Sequence, residues 1–307
     1  MRNRWFIALA AIGLHISIGS VYAWSVLTRP IMADMGFTLS QTTWTFSLAI
    51  LMLGLSAGFL GSFAEKIGPK KSGLLAMLFW VTGLLGTAYA LSIHNLTLLY
   101  LFYGIIGGIG LGIGYITPVS TLVKYFPNRP GFATGLAIMG FGFASLIAGP
   151  LMQFLVAQFG LVNNFIILGV IYLVIMGASS LYLKAPQQKH STRTTKDKST
   201  MYVHTHGMLA NDAMKTWQFG ALWWVFFINI TCGIGLLSLA SPMAQEAIGM
   251  TPTAAASLVG IIGIFNGGGR IAWSTISDYL GRAKTYILFF IIAVSYTHLR
   301  AHETCAD

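Results

Sequence analysis

The sequence predicts an all-α polytopic membrane protein, and three observations carry that prediction. Of its 307 residues 55% are hydrophobic and only 8% are charged, with 35 glycines, which leaves too little polar surface to keep a soluble chain dispersed. Runs of about 18 or more apolar residues, enough to cross a hydrocarbon core roughly 30 Å thick, recur along the chain. The basic residues cluster in the intervals between those runs, and predominantly in alternate intervals.

Taken in order, the spans are expected at about 5–26, 42–64, 72–93, 97–123, 131–157, 162–183, 218–240 and 253–276, with a ninth starting near 284. Helices this dense form one membrane body rather than several soluble domains. A cleaved signal peptide is a poor alternative for the first run, which lacks a small-residue cleavage site and is followed at once by more spans. If the N-terminus is cytoplasmic, 15 of the 18 Lys and Arg fall on the cytoplasmic side, from Arg2 and Arg4 through Lys66, Lys70, Lys71, Lys124 and Arg129 to Lys215, Arg282 and Lys284. The opposite side holds Arg29 alone. This is the positive-inside pattern of a multi-pass protein of the inner or plasma membrane. It also accounts for the net charge of +10 without nucleic acid. Two cysteines, Cys232 and Cys305, give neither a disulfide framework nor a metal-ligand spacing.

One charge is out of place. Arg270 is the only Lys, Arg, Asp or Glu inside any of the first eight spans, and an intramembrane charge points to function by default. Steps of three and four residues back from it meet Gly267, Gly263, Gly260 and Ala256, and steps forward meet Ser274 and Ser277. Such a stripe of small residues permits close helix packing or a ligand pressed against the backbone, and Gly267 would leave room for the Arg270 side chain. The other face carries Leu258, Ile262, Phe265 and Trp273, which suit lipid or bundle core. A buried Arg costs about 2.5–3.5 kcal/mol on insertion scales, so it needs a counter-group: backbone carbonyls, a residue elsewhere in the protein, or a substrate. Its planar fork matches a carboxylate at two points and stays ionised at any physiological pH.

Two loops repeat. Gly61-Ser-Phe-Ala-Glu65-Lys66-Ile-Gly68-Pro-Lys70-Lys71 follows the second span and Ser274-Thr-Ile-Ser-Asp278-Tyr-Leu-Gly281-Arg282-Ala-Lys284 follows the eighth, with Glu65 and Asp278 lying 213 residues apart. In each, a carboxylate is expected to close a helix end, a glycine to make the turn, and basic residues to sit at the membrane surface. The repeat divides the chain into a six-span half at 1–184, a polar basic linker at 185–217, and an incomplete second half at 218–294. Shifted by 213 residues, the third span predicts a ninth at 285–306, yet its apolar run stops near Val294. Residues 295–307 therefore read as a non-native tail, like translated adaptor sequence, with spans 10 to 12 missing; a short ninth span with a soluble tail is the other reading.

These residues resemble the major facilitator superfamily and, within it, the oxalate/formate antiporter family of carboxylate transporters. The resemblance covers residues 1 to about 294 and rests on the paired loops, on Gly19-Ser-Val-Tyr22-Ala-Trp24-Ser25, on Lys124-Tyr-Phe-Pro127-Asn-Arg129-Pro-Gly131, and on Asn266-Gly-Gly-Gly-Arg270 with Ser277-Asp278. Glu65 stands where the superfamily usually has Asp, and Pro69 interrupts the basic run. The resemblance implies two six-helix bundles rocking about a central site, small organic anions such as oxalate, formate, pyruvate or lactate as substrates, and Arg270 as one binding cation. It implies no cofactor. The paired loops would gate the site through Gly61, Glu65, Lys66, Gly68, Lys70 and Lys71 in one copy and Asp278, Gly281 and Arg282 in the other. Gly140, Gly142 and Gly149-Pro150 resemble the glycine-rich span of superfamily exchangers, though close helix approach explains them equally.

Further candidates come from helical faces. His15, Gly19 and Tyr22 share a face continued by Ser25, and Gly104, Gly108, Gly112 and Tyr115 share another. Tyr22 and Tyr115 offer hydroxyls and ring edges to a small anion, or serve as core aromatics. His15 is a proton carrier or a hydrogen-bonded packing residue. Trp24 suits an interfacial belt. The His190, His204 and His206 pattern in the linker is weak evidence for metal. Without an intramembrane acid, exchange or uniport ranks above proton symport. A monomer moving small carboxylates through the bilayer is the leading expectation; transport of another solute with Arg270 structural, or an inactive fragment, are the alternatives. A channel lacks a filter or charge ring, and an enzyme lacks a nucleophile-base pair or cofactor fingerprint.

Overall fold

A computed structural model describes residues 3–186 and 210–292, and among the described residues every regular element is helical. The expectations placed on residues 187–209 and 293–307, namely His190, His204, His206, most of the linker and the polar tail, lie outside the described residues.

Helix α1 (Arg4–Met35) starts on Asn3, whose side chain accepts the Trp5 amide at 3.0 Å. It tightens into a 3₁₀ turn at Ser20–Ala23, resumes at Trp24, and ends where Gly36 adopts a left-handed conformation. It outruns the expected 5–26 because Arg29 and Pro30, which interrupt the apolar run, are carried inside the helix; proline removes one main-chain bond without forcing the chain to stop. α2 (Leu39–Ile67) opens on a Thr38–Gln41 capping box. α3 (Pro69–Ser92) follows with proline in its first turn, and α4 (Leu96–Tyr125) is capped by Asn95. The α4 backbone widens into π turns over Tyr100–Gly107.

Helices α5 (130–159) and α6 (161–182) run on almost without a loop. Only Gly160, at φ 80° and ψ 170°, breaks them, in a conformation open to glycine and costly for other residues. α7 (Trp217–Ala247) and α8 (Pro252–Leu280) come next, the latter capped by Thr251, and α9 covers 282–292. Among the described residues seven continuous helical stretches are long and apolar enough to cross a membrane, and the Gly160 break makes two spans of the longest. The all-helical polytopic class expected from composition is therefore what the chain adopts.

The described residues form two compact units, 3–186 with 238–292, and 210–237. Within the smaller one, Trp223 stacks on Phe227 at 5.1 Å and meets Trp224 edge-on. The larger one has an aromatic centre: Trp24 of α1 lies 4.3 Å from Tyr103 of α4, which also meets Trp80 of α3 and Phe165 of α6. Trp24 is fully buried there, so it is a core residue and not the belt residue its position near a span end suggested. Outward faces carry bare apolar side chains, such as Phe59 at 82% exposure and Val174 at 65%. Lipid accommodates such surfaces, whereas water does not.

A seam between α5 and α8 positions the site. A Cβ on Gly142 would lie 2.5 Å from the Gly267 Cα, and one on Gly149 would lie 3.1 Å from the Ala256 carbonyl oxygen. Ser145 Oγ donates to the Val259 carbonyl between them. The small-residue stripe of α8 thus serves close helix approach, the first of its two expected uses. The space beside Gly267 is taken by Phe143, 2.8 Å from where a Cβ would stand, and not by the Arg270 side chain.

Candidate functional site

Arg270 leaves this seam pointing at α1. Its Nε donates to Asn266 Oδ1 at 2.9 Å, one helical turn back, and its Nη2 donates to the Tyr22 hydroxyl at 3.2 Å. The Tyr115 hydroxyl of α4 turns toward the same guanidinium. Two rings flank the cation, with Cζ 5.8 Å from the Tyr22 centroid and 6.0 Å from that of Phe141. Those contacts spread the charge over ring faces, each worth about 0.5–2 kcal/mol. Four ion pairs occur among the described residues, and Arg270 belongs to none of them. The fork carries five N–H groups, more than these neighbours use.

Local sequence explains the convergence. Gly19 brings α1 against α5, since a Cβ there would lie 2.7 Å from the Phe141 Cα. The 3₁₀ turn that follows carries Tyr22, and its ring meets Phe141 edge-on at 4.7 Å. Phe141 also meets Tyr115 at 5.6 Å and His15 at 6.1 Å, so it is the hub of the cluster. His15 is completely buried. Its Nδ1 faces the Ala137 carbonyl of α5, and its Nε2 lies 3.0 Å from the Tyr115 carbonyl of α4. The structure therefore gathers Arg270, Tyr22, Tyr115 and His15 from three helices into one place.

Two members were missed. Asn266 orients the guanidinium, and its spacing of four residues on a helix was the available signal. Phe141 sits between Gly140 and Gly142, and a lone ring in a glycine-rich helix carries no spacing signal of its own.

The paired loops share a backbone conformation: Gly68 has φ 82° and ψ 161°, and Gly281 has φ 83° and ψ 154°. Their carboxylates do different things. Asp278 accepts the Gly131 amide at 2.9 Å on Oδ1 and the Phe132 amide at 2.8 Å on Oδ2, and it pairs with Arg282 at 2.9 Å. The helix end it closes is thus the start of α5, where a negative charge is favoured. Glu65 makes a half-exposed ion pair with Lys124 of α4 at 3.1 Å, while Lys66, Lys70 and Lys71 are exposed and Gly61 faces Ile116.

At the other end of the seam Arg29 of α1 reaches Glu246 at 3.1 Å and Gln245 at 3.3 Å on α7. Beneath it Val26, Ala240, Ala256 and Val259 form a small apolar plug. Along α8, Arg270 lies between this plug and Asp278.

Over residues 6–297 the chain matches the Major Facilitator Superfamily profile. It belongs to that superfamily. Among its relatives, the uncharacterized MFS-type transporter YhjX of Escherichia coli (strain K12) is 29% identical over 296 residues, covering 95% of this chain and 71% of that protein. The oxalate:formate antiporter of Oxalobacter formigenes is 27% identical over 290 residues, covering 94% of this chain and 66% of that one. The crystal structure of the D-xylose-proton symporter superposes with a TM-score of 0.59 at 14% identity, over 90% of this chain and 69% of the symporter; that likeness is one of fold. The chain thus spans about two thirds of the length of these superfamily relatives.

Proposed function

We propose that the protein is a secondary transporter of small organic anions, of the oxalate, formate, pyruvate or lactate kind, with Arg270 as the group that binds the carboxylate. One observation carries the reading: Arg270, the single charge within the first eight apolar runs of the sequence, is held at a convergence of α1, α4, α5 and α8, where its bonded partners Asn266 and Tyr22 are neutral. Asn266 fixes Nε, which leaves the Nη edge to meet two carboxylate oxygens, while the Tyr22 and Tyr115 hydroxyls add donors. A bound anion also relieves the cost of an uncompensated intramembrane cation. The likeness to an oxalate:formate antiporter supports this substrate class.

Alternating access needs contacts that break at each end in turn. The Asp278 latch at the start of α5 and the Arg29 clamp with its apolar plug are suited to those roles. We place the paired-loop end and the N-terminus in the cytoplasm, following the basic residues, with the protein a monomer in the inner or plasma membrane. Exchange or uniport requires only the one cation; a proton-linked cycle requires a titratable group as well.

A second reading has its own support. The bonds from Arg270 to Asn266 and Tyr22 would also suit a structural arginine in a transporter of another solute. Uptake of radiolabelled oxalate, formate and pyruvate into proteoliposomes separates the two. Losing one partner of a desolvated charge pair costs about 2–5 kcal/mol, roughly thirtyfold or more, so Arg270→Ala should lose uptake by at least that factor, and Arg270→Lys, which keeps the charge but not the planar fork, should lose less. Unchanged uptake in both variants would leave Arg270 structural.

A further inference from the structure

The surroundings of His15 are unusual for a packing residue. Both ring nitrogens face main-chain carbonyl oxygens, Ala137 on α5 and Tyr115 on α4. A carbonyl only accepts. A neutral imidazole has one N–H, so it can bond one of these oxygens and must turn a lone pair toward the other; the imidazolium alone donates to both. The pocket is thus shaped for a protonated ring, although a charge buried this deeply needs compensation.

The other titratable and charged groups around the ring are few. Arg270 reaches toward it from α8, Tyr115 from α4, and Tyr22 follows on α1 itself. α5 contributes no ionisable residue between Pro130 and Phe159, and Tyr172 of α6 turns its hydroxyl to Ser20 instead. With the site empty, Arg270 is the nearest charge and repels a second one. An anion on Arg270 reverses that local field.

We propose that His15 binds a proton when a carboxylate binds Arg270, so that each carboxylate crosses the membrane together with one proton. The proton comes from water on the side to which the site is open, occupies the vacant ring nitrogen, and leaves with the anion on the far side. No other bond is made or broken. For a monocarboxylate the loaded site then carries the same charge as the empty one, so loading adds no net charge to the membrane interior. This rests on the carboxylate reading above, and it supplies proton linkage without an intramembrane acid.

The test is isothermal titration of the purified protein with sodium pyruvate and with sodium oxalate, in pairs of buffers of different ionisation enthalpy. The expected result is uptake of about one proton per carboxylate bound, with affinity weakening about tenfold per pH unit on the alkaline side. His15→Gln should lose both signatures. ¹⁵N spectra of histidine-labelled wild-type protein give a readout independent of any variant: His15 should acquire imidazolium shifts when pyruvate is added. Binding without proton uptake, or a His15 signal that stays neutral on saturation, overturns the proton proposal and leaves the carboxylate reading intact. No binding of either anion overturns both.

Discussion

Replacing Asp278 by Asn removes one of two acceptors from the start of α5 together with the negative charge. In the native protein Oδ1 and Oδ2 accept the Gly131 and Phe132 amides at 2.9 and 2.8 Å, and the side chain is only 10% exposed. Asparagine keeps a single acceptor, so one amide is left unbonded. A hydrogen bond to a charged group contributes about 1.5–3 kcal/mol. Loss of one such bond should shift the equilibrium between closed and parted α5 and α8 ends by about ten- to a hundredfold, at about 1.4 kcal/mol per tenfold. The Arg282 pairing adds little, since that side chain is half exposed. Pulsed electron-spin distance measurements between labels at Asn128 and Leu280, with Cys232 and Cys305 replaced by serine, read the two populations. Asp278→Asn should move them apart by that factor and Asp278→Glu by much less. Identical distance distributions in wild type and Asp278→Asn would refute the latch.

Two further predictions concern the seam and its far end. Gly142→Ala places a methyl 2.5 Å from the Gly267 backbone, so overpacking should cost about 1–3 kcal/mol and lower the thermal midpoint in detergent, whereas Gly268→Ala, with no atom within 4 Å of the new Cβ, should leave it unchanged or slightly raised. Glu246→Gln breaks an exposed ion pair with Arg29, so stability should change by less than about 1 kcal/mol; the effect should appear instead as greater thiol-reagent access to a cysteine placed at Val26, and a loss of thermal stability with unaltered access would contradict a gating role.

Much of the fold was legible because the periodic signal is long and strong. Spans near 20 residues leave little room for error when the backbone must satisfy itself in lipid. The limits of α1 were misjudged because hydropathy stops at Arg29, while the helix continues through Pro30 to Met35. Trp24 was misplaced for a related reason: its position suggested an interface, and only the tertiary neighbours Tyr103, Trp80 and Phe165 make it core. At the site, Arg270 declared itself by charge, and helical spacing proposed Tyr22, Tyr115 and His15. What spacing could not supply is the hub. Phe141 lies against all four candidates from a fourth helix, and its place follows from two backbone approaches, at Gly19 and at Gly142, which depend on interhelical geometry. The two carbonyls that face the His15 ring come from α4 and α5, and helical spacing within α1 carries no signal of them.

The central claim is that a carboxylate binds at Arg270. The most direct test is an experimental structure of the protein with oxalate bound. The account predicts the anion within hydrogen-bond distance of the Arg270 Nη atoms, beside the Tyr22 and Tyr115 hydroxyls, with Asn266 still holding Nε. Oxalate bound elsewhere, with the guanidinium in its present bonds to Asn266 and Tyr22, would contradict it.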